Sequence, residues 1–195
     1  MTFPRPFLVP ADPAEQLARD VVARLRPYPD FPEPGVLFQD LCPVFADPAL
    51  LNRVVSAVLA RYSGAFDVVL GVEARGFVLA TAIAQLSGRP LVLARKPGKL
   101  PGRLHQVRYS LEYGDAALQT QQDAFPRGAR VLLVDDVLAT GGTLEAAAKL
   151  VALGGGLVAG YAVVVTIAPL GGPARLSALP AFSVLTLSGG GETPG

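Results

Sequence analysis

Residues 131–146, VLLVDDVLATGGTLEA, constrain the fold more than any other stretch of this chain. Val131, Leu132, Leu133 and Val134 form an apolar run too short and too uniform for a surface helix. Such a run fits a strand buried on both faces of a parallel sheet. Two carboxylates, Asp135 and Asp136, come immediately after it, then the small-residue loop Ala139-Thr140-Gly141-Gly142-Thr143 and a helix start. A parallel strand delivers its succeeding loop to the carboxyl edge of the sheet, where open α/β folds bind ligands.

The loop has the composition of an anion cradle. Gly141 and Gly142 permit close backbone approach, Thr140 and Thr143 carry hydroxyls, and the next helix presents free N–H groups. Hydrogen bonds to a charged group contribute about 1.5–3 kcal/mol each, so a phosphate held here needs no lysine. Neither GxxxxGK[ST] nor GxGxxG is present. The adjacent acids would repel an anion unless they face something else, and sugar hydroxyls or a hydrated Mg²⁺ suit them. The residues alone therefore point to a sugar phosphate.

Around this stretch the chain alternates strands and helices. Asp12-Pro13-Ala14-Glu15 and Asp47-Pro48 are helix starts with a capping carboxylate and an early proline. Leu17, Val21 and Leu25 follow the first, and Leu50, Val54, Val55 and Val58 the second, as apolar stripes. Residues 36–40, 67–72, 91–94, 157–166 and 183–187 read as strands, and 77–86 and 143–153 as helices. Residues 109–114 and 117–120 read as paired strands turning at Gly114-Asp115. This order predicts an α/β fold, a mostly parallel open sheet flanked by helices. One domain over 1–195 is expected, with an N-terminal arm and hood over 1–45 and a flexible lid loop over 95–114. The basic stretch Arg95, Lys96, Lys99 and Arg103, broken by Pro and Gly, reads as the part of the lid that closes on an anion.

Composition narrows the function classes. Hydrophobic residues are 51% and charged residues 17%, as suits a sheet covered on both faces. A net charge of +1 gives no nucleic-acid footprint. Cys42 is the sole cysteine, which excludes an internal disulfide and fits a reducing, cytoplasmic setting; it reads as a small buried hydrophobe. The N-terminus lacks a basic region followed by a continuous apolar core, so no export leader is expected. The apolar run at 157–168 is shorter than the about 20 residues a membrane helix needs, so no membrane association is expected. His105 is a lone histidine with no assigned role.

VLLVDDVLATGGT resembles the phosphoribosyl diphosphate (PRPP) signature of the type I phosphoribosyltransferases, in a form similar to that of the members acting on adenine. Three further stretches resemble family motifs in the family order: DFPEPGVLFQD the purine-side loop, GVEARGF a second ligand loop, and RKPGKLPG with LEYG the lid. The resemblance implies transfer of the 5-phosphoribosyl group of PRPP to a purine, with adenine expected, giving AMP and diphosphate in purine salvage. It implies that Ala139, Thr140, Gly141, Gly142 and Thr143 hold the 5′-phosphate, and that Asp135 and Asp136 face the ribose hydroxyls and Mg²⁺. Arg75, Arg95, Lys96 and Lys99 would hold the diphosphate, with Glu73 and Ala74 lining that turn. Phe38 would stack on the purine, with the backbone of Leu37 and Gln39 beside it, and Glu112 would be the acid/base. A homodimer is implied as well.

The family's adenine members carry Arg or Lys where this chain has Gln39. Two other readings stay open: the same chemistry on a 6-oxopurine such as hypoxanthine or xanthine, and a non-catalytic PRPP-binding regulator. A regulator of that kind needs a DNA-binding extension. Residues 1–35 hold four arginines against five acids, poor material for one.

Overall fold

A computed structural model describes residues 12–31, 33–110 and 115–188. Five parallel strands make the main sheet in the order β10-β9-β7-β3-β4: β3 (Val68–Val72), β4 (Leu91–Ala94), β7 (Arg130–Val134), β9 (Leu157–Ile167) and β10 (Ala181–Leu187). A two-residue strand, β8 (Val137–Leu138), adds parallel to β9. The sheet is apolar at both parities because both faces are covered. Val69, Leu132, Val134, Ala162 and Val164 pack under α1 (Pro13–Val22), α3 (Pro48–Arg61) and α4 (Gly76–Ser87). Leu70, Val72, Val131, Leu133 and Val163 pack under α5 (Gly142–Leu153). The predicted caps form: Asp12 Oδ1 accepts the N–H of Ala14 at 2.9 Å, and Asp47 Oδ1 that of Leu50 at 3.1 Å.

From β3 the chain crosses to β4 on one side, then returns to place β7 on the other side of β3. The reversal opens a crevice between the carboxyl ends of β3 and β7, the usual ligand position in such sheets. The turn after β3 carries Glu73 and Arg75, and the turn after β7 carries Asp135 and Asp136.

Two antiparallel ribbons flank this edge. β1 (Arg26–Pro29) pairs antiparallel with β2 (Leu37–Asp40), and patterning assigns no strand to 26–29. Pro27 and Pro29 are tolerated because every residue of β1 is exposed on a two-stranded edge. β5 (Leu104–Ser110) pairs with β6 (Asp115–Gln121), so the hairpin begins five residues before the expected start at Tyr109. His105 lies within β5, opposite Thr120. Short helices α2 (Cys42–Phe45) and α6 (Gly172–Arg175) complete the fold. Cys42 opens α2 and is exposed, contrary to the buried position expected: its N–H donates to Asp40 Oδ1 at 2.9 Å, which turns the residue outward. No helix among the described residues is long and apolar enough to cross a membrane.

Candidate active site

The loop after β7 is built as an anion cradle. Gly141, in the left-handed region at φ 80°, opens α5 with no side-chain cap. The N–H groups of Gly142, Thr143 and Leu144 bond to no protein acceptor among the described residues and lie at the positive end of the helix. Thr143 Oγ1 lies 3.5 Å from the hydroxyl of Tyr109 on β5, so the hairpin stands beside the loop. Behind the loop, the N–H of Gly172 donates to the Ala139 carbonyl at 3.0 Å. A Cβ on Gly141 would lie 3.1 Å from Gly172 Cα and 3.4 Å from Arg175 Cδ, so α6 braces the loop at backbone contact.

The paired acids occupy the crevice floor. Asp136 is 5% exposed, and Asp135, half-buried, accepts the Asp136 N–H on Oδ1 at 2.9 Å. Burial pushes Asp135 well above the usual carboxylate range, and the charge of Asp136 pushes it further. Burial also raises Asp136, while Arg75 pulls it back. Arg75 Nε stands 2.7 Å from Asp136 Oδ2, but its N–H does not point at the oxygen. The contact is therefore ionic, and Oδ2 is a buried acceptor without a hydrogen bond among the described residues.

Arg75 also lies over the ring of Phe38, 4.8 Å from its centroid. It thus spans from the acids to the hood. Phe31 meets Phe38 edge-on at 5.0 Å. Leu37, Phe38 and Gln39 border an apolar slot of about 400 Å³, closed opposite by Val137, Ile167, Pro169 and Leu170. A larger groove of about 620 Å³ between α1, α3 and β10 touches none of these residues.

Arg95 is also engaged: Nε and Nη2 donate to the Glu73 carboxylate, each at 3.3 Å, and Nη1 donates to the Lys99 carbonyl at 3.3 Å. The Lys96 N–H donates to Glu73 Oε2 at 2.8 Å, and with Arg95 it lowers the Glu73 pKa. Lys96 and Lys99 are exposed and form no ion pair among the described residues. Glu112 lies outside the described residues.

The carboxyl edge thus unites an uncapped helix start, two adjacent carboxylates, a basic turn and an apolar slot. This combination defines a class, and the chain belongs to the phosphoribosyl transferase family: the family's phosphoribosyl transferase domain matches residues 48–178. Several relatives within that family are named adenine phosphoribosyltransferase. The protein of that name from Salinispora tropica is 48% identical over 181 residues, covering 92% of this chain and 96% of the relative. The crystal structure of the Rhodothermus marinus protein is 39% identical with a TM-score of 0.84, covering 89% of this chain and 99% of that one. That of the Saccharomyces cerevisiae protein, complexed with an imino-altritol bisphosphate and adenine, is 34% identical with a TM-score of 0.83, covering 88% and 99%.

The fold brings the sequence-named loop after β7, the two acids, Phe38 and the basic turn to one edge of the sheet. Val137, Ile167, Pro169 and Leu170, which line the same slot, were not singled out, being indistinguishable from core residues until the fold sets them across from Phe38. Nor was α6 singled out, although the Gly171-Gly172-Pro173 breaker after a strand is a turn signal.

Proposed function

We propose that this chain transfers the 5-phosphoribosyl group of PRPP to adenine, releasing AMP and diphosphate. The observation that carries the reading is the crevice between β3 and β7, where the uncapped start of α5, the orphan oxygen of Asp136 and the slot beside Phe38 open onto one edge. The names of the relatives favour adenine over a 6-oxopurine, and the yeast protein crystallised with adenine supports the same base.

In this reading the N–H groups of Gly141, Gly142 and Thr143, with the hydroxyls of Thr140 and Thr143, hold the 5′-phosphate beside Ala139. The ribose hydroxyls supply the donors that Asp136 Oδ2 lacks, and Asp135 takes part beside it. Phe38 stacks on one purine face and Ile167 covers the other, with Leu37 and Gln39 at the edge. Lys96 and Lys99 meet the diphosphate, joined by Arg75 once the sugar takes its carboxylate partner. The bond from purine N9 to ribose C1 forms as the C1–oxygen bond breaks, and that electron pair leaves on the diphosphate. The base sheds its N9 proton, for which Glu112 is the sequence-based acceptor. A dry crevice keeps water from the cationic ribose.

Asp135 and Asp136 suit Mg²⁺. No cluster of three metal-ligating side chains occurs among the described residues, and Mg²⁺ is commonly held by one or two carboxylates together with substrate oxygens and water. When bound, it would neutralise charge on the departing diphosphate. The whole chain acts here as one domain, in the cytoplasm, as a homodimer. Exposed Val78 and Leu86 on α4 and Leu93 on the edge strand β4 support an apolar face for the second subunit, to be checked by sedimentation.

The test is turnover with PRPP and Mg²⁺ across adenine, hypoxanthine, xanthine and guanine. AMP from adenine, with the other bases strongly rejected, is expected. Preference for a 6-oxopurine would move the assignment to that base, and absence of PRPP binding would remove it altogether.

A further inference from the structure

The turn bearing Lys96 and Lys99 takes its shape from a residue that no motif singles out. Gln119, on β6, exchanges two main-chain hydrogen bonds with Arg95, at 2.9 Å and 2.7 Å. This bridge fastens the hairpin to the end of the edge strand β4. Gln119 is 9% exposed, and a buried amide needs partners at both ends. Its Oε1 accepts the N–H of Gly98 at 3.3 Å, and its Nε2 donates to Gln106 Oε1 at 2.6 Å. On the opposite side, the Glu73 carboxylate takes the Lys96 N–H and the Arg95 guanidinium. An amide and a carboxylate thus grip the 95–99 turn from two sides, and Arg95 closes it on the Lys99 carbonyl.

We propose that Gln119 is a positioning residue for the leaving group, fixing this turn so that Lys96 and Lys99 present their charges to the diphosphate. The proposal rests on the phosphoribosyl-transfer reading above. A turn already ordered loses less conformational entropy when an anion binds, so the gain falls on diphosphate-bearing ligands alone. Glutamate here would lose the donor to Gln106 and set a negative charge beside the lysines. Leucine would fill the space and remove both hydrogen bonds.

Calorimetry with Mg²⁺-diphosphate and with AMP, on wild type and Q119L, separates this role from a merely structural one. Q119L should bind diphosphate, and show a KM for PRPP, about fivefold to tenfold weaker, the effect of losing one such hydrogen bond. Its AMP affinity and its KM for adenine should stay within about twofold of wild type, because neither ligand carries the diphosphate. Equal weakening of AMP and diphosphate, or no change in either, overturns the proposal. Q106L keeps the Gly98 contact and removes only the acceptor of the Gln119 Nε2 hydrogen, so a smaller shift of the same kind is expected; it carries the test if Q119L does not fold. Wild type that binds neither PRPP nor diphosphate defeats the functional reading itself. Wild type that binds diphosphate no better than Q119L defeats only the role of Gln119.

Discussion

Gly172 braces the loop after β7 from behind, and an alanine there tests whether the brace sets the geometry proposed for the 5′-phosphate. Its N–H donates to the Ala139 carbonyl at 3.0 Å. A Cβ on Gly172 would run into that same carbonyl oxygen and lie 2.7 Å from Leu138 Cδ1. The carbonyl is backbone and Leu138 is 1% exposed, so neither swings aside. The loop must part from α6, losing a hydrogen bond of about 1 kcal/mol on top of an overpacking cost of about 1–3 kcal/mol. At this chain length each kcal/mol lowers Tm by about 2–4 °C, so G172A should melt on the order of 5–15 °C below wild type. The groups displaced are those assigned to the 5′-phosphate, and a misplacement of about 1 Å can lower a rate on the order of 100-fold. The kcat/KM for PRPP should therefore fall by about 10- to 100-fold.

Gly171 is the internal control. It sits at φ 79°, and a methyl group placed on its Cα would meet nothing within 4 Å. G171A therefore adds only left-handed strain of about 1–2 kcal/mol and leaves PRPP kinetics near wild type. Thermal unfolding followed by circular dichroism, and initial rates with PRPP varied at saturating adenine, read both effects. G172A with wild-type Tm and kcat/KM, or G171A matching its kinetic loss, would refute the bracing argument.

Three other substitutions probe the crevice. F38A removes the stacking face and should raise the KM for adenine by about 10- to 100-fold with little change for PRPP; an effect mainly on PRPP would place the purine elsewhere. D136N should cut turnover by orders of magnitude while circular dichroism shows the fold intact, and unchanged turnover would take Asp136 out of the site. D135N keeps an oxygen for the Asp136 N–H and removes a charge that burial and Asp136 both oppose. A carboxyl with a raised folded pKa binds more protons folded than unfolded. It therefore destabilises the fold increasingly as pH rises from about 3.9 through its folded value, and has no such effect below about 3.9. D135N should melt above wild type near neutral pH, and the gap should close on acidification toward about pH 4; a gap independent of pH would contradict the linkage.

The sheet was legible in the sequence because doubly covered strands are continuous apolar runs. Residues 67–72, 91–94, 131–134, 157–166 and 183–187 each overlap an observed strand, the first beginning at Val68. The four-residue helices α2 and α6 and the two-residue β8 are shorter than any period that patterning can read. β1 was hidden by Pro27 and Pro29, which argue against a strand everywhere except on an edge such as this one.

The loop after β7 and its two acids could be singled out from the sequence for a different reason: they are contiguous in the chain, so one stretch carries the proposed chemistry. The slot is not contiguous. Phe38 comes from the hood, Val137 from β8 and Ile167 from the end of β9, and only the strand order brings them together. Arg75 shows the limit most clearly. Its charge and its place after β3 suggest an anion ligand, but β7 lies directly beside β3, so the nearest charge across the crevice is Asp136, 2.7 Å away. On the phosphoribosyl-transfer reading proposed above, a sugar that takes Asp136 would also release Arg75, so binding at the ribose end and charge at the diphosphate end would be coupled through one side chain, which also lies against the Phe38 ring.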